Sequence, residues 1–373
     1  MKTVQIKDIT VGGGKGLFVL AGPCVIEDYD RTLAIGKRAK EICEHLGVPY
    51  IFKASFDKAN RSSFGSFRGP GLEEGLKMLA SIKKELNVPV VSDIHSIEQI
   101  EPAAEILDIL QIPAFLCRQT DLVYGAAKTG KCVNVKKGQF MAPKDMENVL
   151  NKMKETGNEN LMLTERGFSF GYNNLVVDMR SFPIMRSFDY PVIFDATHSV
   201  QLPGGAGTKS SGNREFVPNL ARAAVASGVD GLFFEVHDNP EEALSDGPNM
   251  LYLDQFEAVL RDLVAIDKDS EFVPHYTSDG KYFYHELSPY VSLRVAPHSS
   301  AMTIGKKYYS TDGLHFDSFT IENPFLFRDL TKPSNYSAAE LDKVYSLMNI
   351  RDSRLAGKGA IFKEAGERYG VNA

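Results

Sequence analysis

The stretch YIFKASFDKANRSSFGSFRGPG at residues 50–71 joins a short apolar run to a polar loop. Residues 50–52 are typical of a buried β-strand, and the polar residues that follow are typical of a loop at the carboxyl end of that strand. A solvated basic surface loop is the alternative, but a cation as the last residue of an apolar strand needs a charged partner. The loop's cations and hydrogen-bond donors suit an anion with more than one phosphate or carboxylate: Lys53, Lys58, Asn60, Arg61, Ser62, Ser63 and Arg68.

Strand and helix patterns alternate around this stretch. Short apolar runs predict eight strands, at residues 18–21, 50–52, 89–91, 109–112, 132–135, 161–163, 191–194 and 231–234. Apolar residues at helical spacing predict helices at 30–47, 71–87, 97–107, 119–129, 144–156, 174–187, 214–227 and 251–265. Short strands joined by helices indicate a parallel sheet, so we predict an α/β fold, a (β/α)8 TIM barrel with a short N-terminal β segment. An open doubly wound sheet is the alternative, weakened by the missing GxGxxG turn after the first strand.

The composition changes beyond residue 267. Aromatic, serine and aspartate residues dominate there, and the pattern predicts short strands with Asp-Gly turns at 279–280 and 312–313. Ser337 and Glu340 form an S-x-x-E capping box that predicts a helix. We therefore expect two domains, a barrel at 1–267 and a small C-terminal α+β module at 268–373.

Charge and cysteine content restrict the class of protein. The formal net charge of −6 argues against nucleic-acid binding, so the basic loop is a local feature of an acidic chain. The sequence has no apolar stretch typical of a membrane span or a signal peptide, which predicts a cytoplasmic protein. The four cysteines lack CxxC spacing, as expected of reduced thiols.

Polar residues follow nearly every predicted strand, where the active site of a barrel lies. One group is cationic and predicts a clamp for phosphate and carboxylate, although salt bridges to Asp57, Asp93 or Glu165 are an alternative for each member: Lys53, Lys58, Arg61, Lys136 and Arg166.

A second group contains a thiol, an imidazole and two carboxylates: Cys24, His198, Glu235 and Asp246. These residues follow strands one, seven and eight, which meet only when a barrel closes. The set suits Zn²⁺, Fe²⁺ or Mn²⁺. A buried free cysteine beside an unrelated histidine is the alternative. The glycine-rich segment 203–213 predicts either a lid over the mouth or an ordinary connection.

Several motifs resemble the 3-deoxy-D-manno-octulosonate 8-phosphate synthase family, and the resemblance covers residues 1–267. They are AGPC at 21–24, FKASFDKANRSS at 52–63, SFRGPGLEEG at 66–75, QIPAFLCRQTDL at 111–122, NVKKGQF at 134–140, TERG at 164–167, FGYNNLVVDMRS at 170–181, DATHSVQLPGG at 195–205 and ALSDGP at 243–248. The deoxy-heptulosonate phosphate synthases share the barrel and the chemistry, but KANRSS is similar to the octulosonate enzymes.

The resemblance implies a homotetrameric transferase of lipopolysaccharide synthesis that condenses phosphoenolpyruvate with arabinose 5-phosphate and releases phosphate. It implies that Arg118 reaches a neighbouring subunit's site and that Asp93 contributes to substrate binding. Phosphoenolpyruvate would be held by Lys53, Lys58, Gln111, Lys136 and Arg166, and the pentose phosphate by Asn60, Arg61 and Ser62. Catalysis would fall to Lys58, Asn60, His198 and Asp246.

Members of the family divide into metal-dependent enzymes, which have cysteine in the first-strand motif, and metal-free enzymes, which have asparagine there. Cys24 places this chain with the metal-dependent group. The matching ligands would be His198, Glu235 and Asp246, with the identity of the divalent ion left open among zinc, iron and manganese.

The tail departs from that family. From about residue 300, YYSTDGLHFDS, SNYSAAELDK and GKGAIFKEAGERYGVNA resemble the segment before the catalytic core of bacterial peptidoglycan glucosaminidases. The sequence ends before the helix that would carry their catalytic glutamate, so we expect no hydrolase activity. A catalytically inactive barrel that carries a wall-associated tail is the alternative to a synthase.

Overall fold

The computed structural model describes residues 1–61, 63–203, 211–270, 275–288, 291–297, 300, 302–304, 306, 308–309, 315–316 and 319–320. The chain divides into two compact units, Met1–Ser270 and Glu271–Ala373. Within the described ranges, no helix is long and apolar enough to cross a membrane.

Strands and helices alternate through the first unit. The strands are β1 (Thr3–Ile6), β2 (Ile9–Gly12), β3 (Phe18–Gly22), β4 (Tyr50–Lys53), β5 (Val90–Asp93), β6 (Ile109–Ile112), β7 (Cys132–Lys136), β8 (Leu161–Glu165), β9 (Phe168–Ser169), β10 (Leu175–Val176), β11 (Val192–Asp195), β12 (Gln201–Leu202), β13 (Ser211–Gly212), β14 (Gly231–His237) and β15 (Leu251–Tyr252). The helices are α1 (Tyr29–Leu46), α2 (Leu72–Leu86), α3 (Ile100–Ile106), α4 (Thr120–Lys128), α5 (Met146–Lys154), α6 (Ser181–Arg186), α7 (Val217–Ala226) and α8 (Leu253–Ser270).

Eight parallel strands close into a barrel. Neighbours pair in the order β3, β4, β5, β6, β7, β8, β11 and β14, and β14 pairs with β3 to complete the ring. Each strand is buried along its whole length, as expected of strands with side chains inside the barrel on one face and against helices on the other. The predicted (β/α)8 barrel is confirmed, and the open doubly wound sheet is excluded by the closing pair.

A β-hairpin covers one end of the barrel. β1 and β2 pair antiparallel, and Val4, Ile6 and Val11 are buried. These residues share one apolar cluster with barrel residues such as Phe18 and Phe233, separate from the larger cluster that packs helices on strands. The predicted N-terminal β segment is therefore present and fills the end opposite the polar strand ends.

One predicted helix is wrong in its first half. The pattern predicted a helix at 174–187, but β9 and β10 form a hairpin there, and α6 begins at Ser181. Asn173, in the turn of that hairpin, has a φ of 55°. This left-handed conformation is one that asparagine tolerates in turns, and the turn lets Leu175 and Val176 pair with β9 as a strand instead of starting a helix.

The second unit contains an antiparallel sheet. Its strands are β16 (His275–Ser278), β17 (Tyr282–Ser288), β18 (Val291–Pro297) and β19 (Tyr308–Tyr309), in the order β18-β17-β16-β19, and β20 (His315–Phe316) pairs with β21 (Phe319–Thr320). The predicted Asp279-Gly280 turn joins β16 to β17, and Gly280 has a φ of 87°. The predicted 312–313 turn and the helix from Ser337 lie outside the described residues.

Candidate active site

The polar strand ends surround a cavity at the mouth of the barrel. Parallel strands end at the same edge, so side chains distant in sequence meet there. The lining includes nine residues predicted from the sequence: Lys53, Lys58, Asn60, Arg61, Asp93, Lys136, Arg166, His198 and Asp246.

Other predicted residues lie beside or away from this cavity. Cys24, Gln111 and Glu235 are fully buried, and each contacts a residue of the lining. Arg118 is exposed and outside the lining, so its role in a neighbouring subunit stays a prediction. Ser62 and the middle of the predicted lid, 204–210, lie outside the described residues.

Two lysines share one buried carboxylate. Lys53 Nζ donates to Glu235 Oε1 at 2.9 Å and to the backbone carbonyl of Cys24 at 2.9 Å, and Lys58 Nζ lies 3.3 Å from the same Glu235 oxygen. Burial alone would raise the pKa of Glu235, but His198 and the two lysines lower it well below its usual value. Burial alone would lower the pKa of Lys58, but the charges of Glu235 and Asp93 raise it well above its usual value. Glu235 and Lys58 are therefore both charged at neutral pH.

A hydrogen-bonded layer crosses the barrel interior below the mouth. Ser55 Oγ donates to Asp93 Oδ2, and Gln111 Nε2 donates to Asp93 Oδ1 at 2.7 Å. Asn134 Nδ2 donates to Gln111 Oε1 at 2.9 Å, and Thr164 Oγ1 donates to Asn134 Oδ1 at 2.8 Å. This chain of bonds fixes Asp93 and Gln111 at the cavity floor.

Asp195 anchors another cation of the lining. Lys136 Nζ donates to Asp195 Oδ2 at 2.6 Å, and the ammonium group lies 3.7 Å from the centre of the Phe233 ring. Burial lowers the pKa of Lys136, with Asp195 opposing that shift. His198 Nδ1 lies 2.8 Å from Asp195 Oδ2 but is not aligned for a hydrogen bond. Asp195 thus holds Lys136 by its side chain, and it holds His198 by the backbone N, which donates to Asp195 Oδ1 at 2.9 Å.

Two arginines present buried donors to the cavity. Arg166 Nη2 donates to Gln201 Oε1 at 3.0 Å, and Arg61 Nη1 donates to Ser245 Oγ at 2.6 Å. Among the described residues, Arg166 Nη1 and Arg61 Nε have no hydrogen-bond partner. A buried, unpaired guanidinium donor is costly, so these atoms indicate where a bound anion would be held.

A thiol and two carboxylates form a possible metal site. One ligand atom each from Cys24, Glu235 and Asp246 lies within 4.8 Å of the other two. Cys24 Sγ is 3.5 Å from Asp246 Oδ2, and His198 Nε2 is 3.6 Å from Glu235 Oε2. The structure thus groups three of the predicted ligands and places the fourth, His198, beside Glu235.

The chemistry of these residues fits a divalent cation. Glu235 Oε2 is buried and has no hydrogen-bond partner among the described residues, so it is free to bind an ion. Burial, with the nearby Glu235, raises the pKa of the Cys24 thiol well above its usual value. The protein alone therefore favours the neutral thiol, and a cation would stabilise the thiolate that ligation requires.

Three polar residues of the lining were not assigned from the sequence: His95, Gln139 and Gln201. His95 follows β5, and burial lowers the pKa of its imidazole, which favours the neutral ring. Gln139 and Gln201 lie within the NVKKGQF and DATHSVQLPGG motifs, which were the available signal for them.

These features define a (β/α)8-barrel enzyme with an anion-binding mouth beside a candidate metal site. The chain belongs to the DAHP synthetase I family, whose sequence model matches residues 1–271. Relatives named 2-dehydro-3-deoxyphosphooctonate aldolase include one from Geobacter sp. (strain M21), 64% identical over 266 residues, which are 71% of this chain and 97% of the relative. Another, from Trichlorobacter lovleyi, is 63% identical over 266 residues, 71% of this chain and 98% of the relative.

The tail has a different relationship. Residues 271–323 match a model described as the peptidoglycan hydrolase LytB WW-like domain. Both predicted resemblances, that of the barrel and that of the tail, are therefore confirmed.

Proposed function

We propose that the barrel condenses phosphoenolpyruvate with D-arabinose 5-phosphate and water, which gives 3-deoxy-D-manno-octulosonate 8-phosphate and phosphate. The observation that carries the proposal is the meeting of buried cations and unpaired arginine donors in one cavity, in a chain more than 60% identical to the octulosonate relatives. An enzyme with two phosphorylated substrates needs buried cationic donors of this kind.

Phosphoenolpyruvate binds on the side of the mouth formed by β4, β6, β7 and β8. Lys136 and Arg166 face its phosphate and carboxylate, and the unpaired Nη1 of Arg166 supports that role. Lys53, whose ammonium group donates to Glu235, supplies another cation beside this subsite. Gln111, which is fixed by Asp93 and Asn134, completes this subsite.

The pentose phosphate binds on the side formed by the loop after β4. Asn60 and Arg61 line the cavity there, and Ser62 follows them in the sequence. Arg118 of a neighbouring subunit would supply a further cation in a homotetramer. The exposure of Arg118, away from the cavity of its own chain, is compatible with that role.

The reaction joins carbon 3 of phosphoenolpyruvate to the sugar aldehyde while water adds at carbon 2. Loss of phosphate from carbon 2 then leaves the keto group of the product. Asn60 and Lys58 orient the aldehyde and donate hydrogen bonds to the oxygen that gains negative charge. His198 and Asp246 hold the reacting water and the proton that it releases.

Cys24, His198, Glu235 and Asp246 would hold the divalent ion, with zinc, iron and manganese as candidates. When bound, the ion polarises the aldehyde oxygen or lowers the pKa of a bound water.

The test compares sugar substrates. Phosphate release from phosphoenolpyruvate should require arabinose 5-phosphate, and Lys136→Met should lose most of it, whereas Lys84→Met, at an exposed position of α2, should not. Equal or faster turnover with erythrose 4-phosphate would move the enzyme to the heptulosonate class. Absence of turnover with either sugar would favour an inactive barrel.

We propose separate domains at 1–267 and 268–373, with the synthase active in the cytoplasm, where its phosphorylated substrates are made. The WW-like match supports a second proposal, that the tail binds peptidoglycan. Because peptidoglycan lies outside the cytoplasm, this proposal goes with the alternative of an inactive barrel that carries a wall-associated tail. Cosedimentation of the full chain with purified peptidoglycan, compared with a chain that ends at Ser270, tests it. Equal sedimentation of the two would refute a binding role for the tail.

A further inference from the structure

A ten-residue loop carries one of the candidate metal ligands. This Asp246 loop (residues 238–247) follows β14 and brings Ser245 and Asp246 to within 3.5 Å of Cys24 Sγ. Asp246 has a φ of 51°, a left-handed conformation that is unfavourable for a residue with a Cβ. Contacts from the surrounding structure must therefore maintain the loop's conformation.

The carboxylate of Glu27 lies against this loop and against the end of β14. Leu244 N donates to Glu27 Oε1 at 2.8 Å, and His237 Nε2 faces Glu27 Oε2 at 3.5 Å. The Glu27 side chain is 8% exposed, so water competes little for these contacts. The Leu244 side chain is 48% exposed, which means that its backbone bond to Glu27, rather than apolar packing, anchors this part of the loop.

The hydrogen-bond donors around His237 explain why residue 27 carries a carboxylate. Asn239 N donates to His237 Nδ1 at 3.0 Å, so Nδ1 is the acceptor and the ring proton is on Nε2. Glu27 thus accepts a hydrogen bond from Leu244 N on Oε1, while its Oε2 lies 3.5 Å from His237 Nε2, which has no hydrogen-bond partner among the described residues. Arg31 adds positive charge, 3.8 Å from Glu27 and 2.9 Å from Asp238.

We infer that Glu27 is a positioning residue that holds the Asp246 loop, and through it the Asp246 carboxylate, beside Cys24 and Glu235. Glu27 lies three residues after Cys24 in the loop that follows β3, so one short segment supplies a candidate ligand and the support for another. The metal part of this inference rests on the proposed function. Glutamine has one acceptor oxygen and one amide group, so it can present an oxygen to Leu244 N or to His237 Nε2 but not to both, and it removes the negative charge.

The experiment measures Mn²⁺ binding and loop exchange in the full chain. Equilibrium dialysis with Mn²⁺ alone should give a dissociation constant about 10-fold higher for Glu27→Gln than for the unaltered chain, because partners of metal ligands typically contribute that much. Hydrogen exchange followed by mass spectrometry should show faster exchange in peptides from 238–247 and unchanged exchange in β5 to β8. Glu44→Gln, an exposed carboxylate on α1, is the matched control and should change neither result.

The outcomes separate this inference from the proposed metal site. Mn²⁺ binding that is equal in Glu27→Gln and the unaltered chain, with unchanged loop exchange, overturns the inference and leaves the metal site intact. If the unaltered chain does not bind Mn²⁺, the manganese site is overturned. The hydrogen exchange of residues 238–247 then decides the role of Glu27 by itself. If circular dichroism shows that Glu27→Gln does not fold, Glu27→Asp replaces it, since aspartate keeps the charge on a shorter side chain. Unchanged hydrogen exchange of residues 238–247 in Glu27→Asp would contradict the inference.

Discussion

Replacement of Lys53 by methionine is expected to destabilise the barrel by about 3 kcal/mol. The substitution keeps the length of the side chain and removes the ammonium group that lies 2.9 Å from Glu235 Oε1. Removal of one partner of a buried ion pair costs about 3 to 5 kcal/mol, because the remaining charge is left buried. The lower end applies here, since Lys58 Nζ stays 3.3 Å from the same oxygen.

Scanning calorimetry measures this effect as a shift of the barrel transition. A loss of about 3 kcal/mol corresponds to a fall of roughly 6 to 12 °C for a domain of this size. Lys40→Met is the control, because Lys40 forms an exposed pair with Glu44 at 3.3 Å, which is worth about 0 to 1 kcal/mol. The double variant, Lys53→Met with Glu235→Gln, should be more stable than the sum of its two single variants predicts, because the Lys53–Glu235 interaction can be lost only once.

The reasoning is refuted if Lys53→Met and Lys40→Met shift the transition equally. It is also refuted if the double variant is less stable than the sum of its two single variants predicts.

Three further predictions concern pH, metal and the tail. Burial would raise the pKa of Asp93, but Lys53, Lys58 and Lys136 lower it. The ionised Asp93 therefore stabilises the fold above its unfolded pKa of about 3.9, and this stabilisation is lost as pH falls below that value. The stability difference between the unaltered chain and Asp93→Asn, measured by denaturant titration, should shrink from pH 5 to pH 3, and a constant difference would contradict this. Chelation of the metal should abolish turnover, and added Mn²⁺, Fe²⁺ or Zn²⁺ should restore it. Elemental analysis should find less metal in Cys24→Ser than in the unaltered chain. Full activity in metal-free protein would exclude the proposed metal site. A chain that ends at Ser270 should keep its turnover within about twofold, since a module in a separate compact unit folds independently by default, and a large loss would show that the tail supports the barrel.

The barrel was predictable because its periodicity is strong. Continuous apolar strands with a polar last residue, such as Lys53 in β4 and Asp93 in β5, marked both the sheet and its functional edge. The hairpin of β9 and β10 was missed because residues 174–187 contain enough apolar residues to satisfy a helical pattern. The pairing of Leu175 and Val176 with β9 separates the two possibilities, and it depends on a turn at Asn173 whose backbone conformation is not visible in the sequence.

Many residues that line the cavity could be predicted from the sequence, but the ion pairs among them could not. Lys136 is the last residue of β7 and Lys137 follows it, yet Lys136 lines the cavity while Lys137 lies 3.2 Å from Glu165. Neighbouring residues of a strand face opposite sides, so only one of the two could enter the cavity. The sequence does not show which side faces inward until the register of the whole ring is known.

The closure of β14 on β3 has a consequence for synthesis of the chain on the ribosome. Cys24 and Asp246, which lie 3.5 Å apart, are separated by 222 positions in the sequence. Strand β3 therefore leaves the ribosome long before β14, the strand that closes the barrel against it. During that interval Lys53 has no Glu235 to pair with. A nascent chain remains catalytically silent, with one open sheet edge on β3, until the last strand of the barrel has emerged.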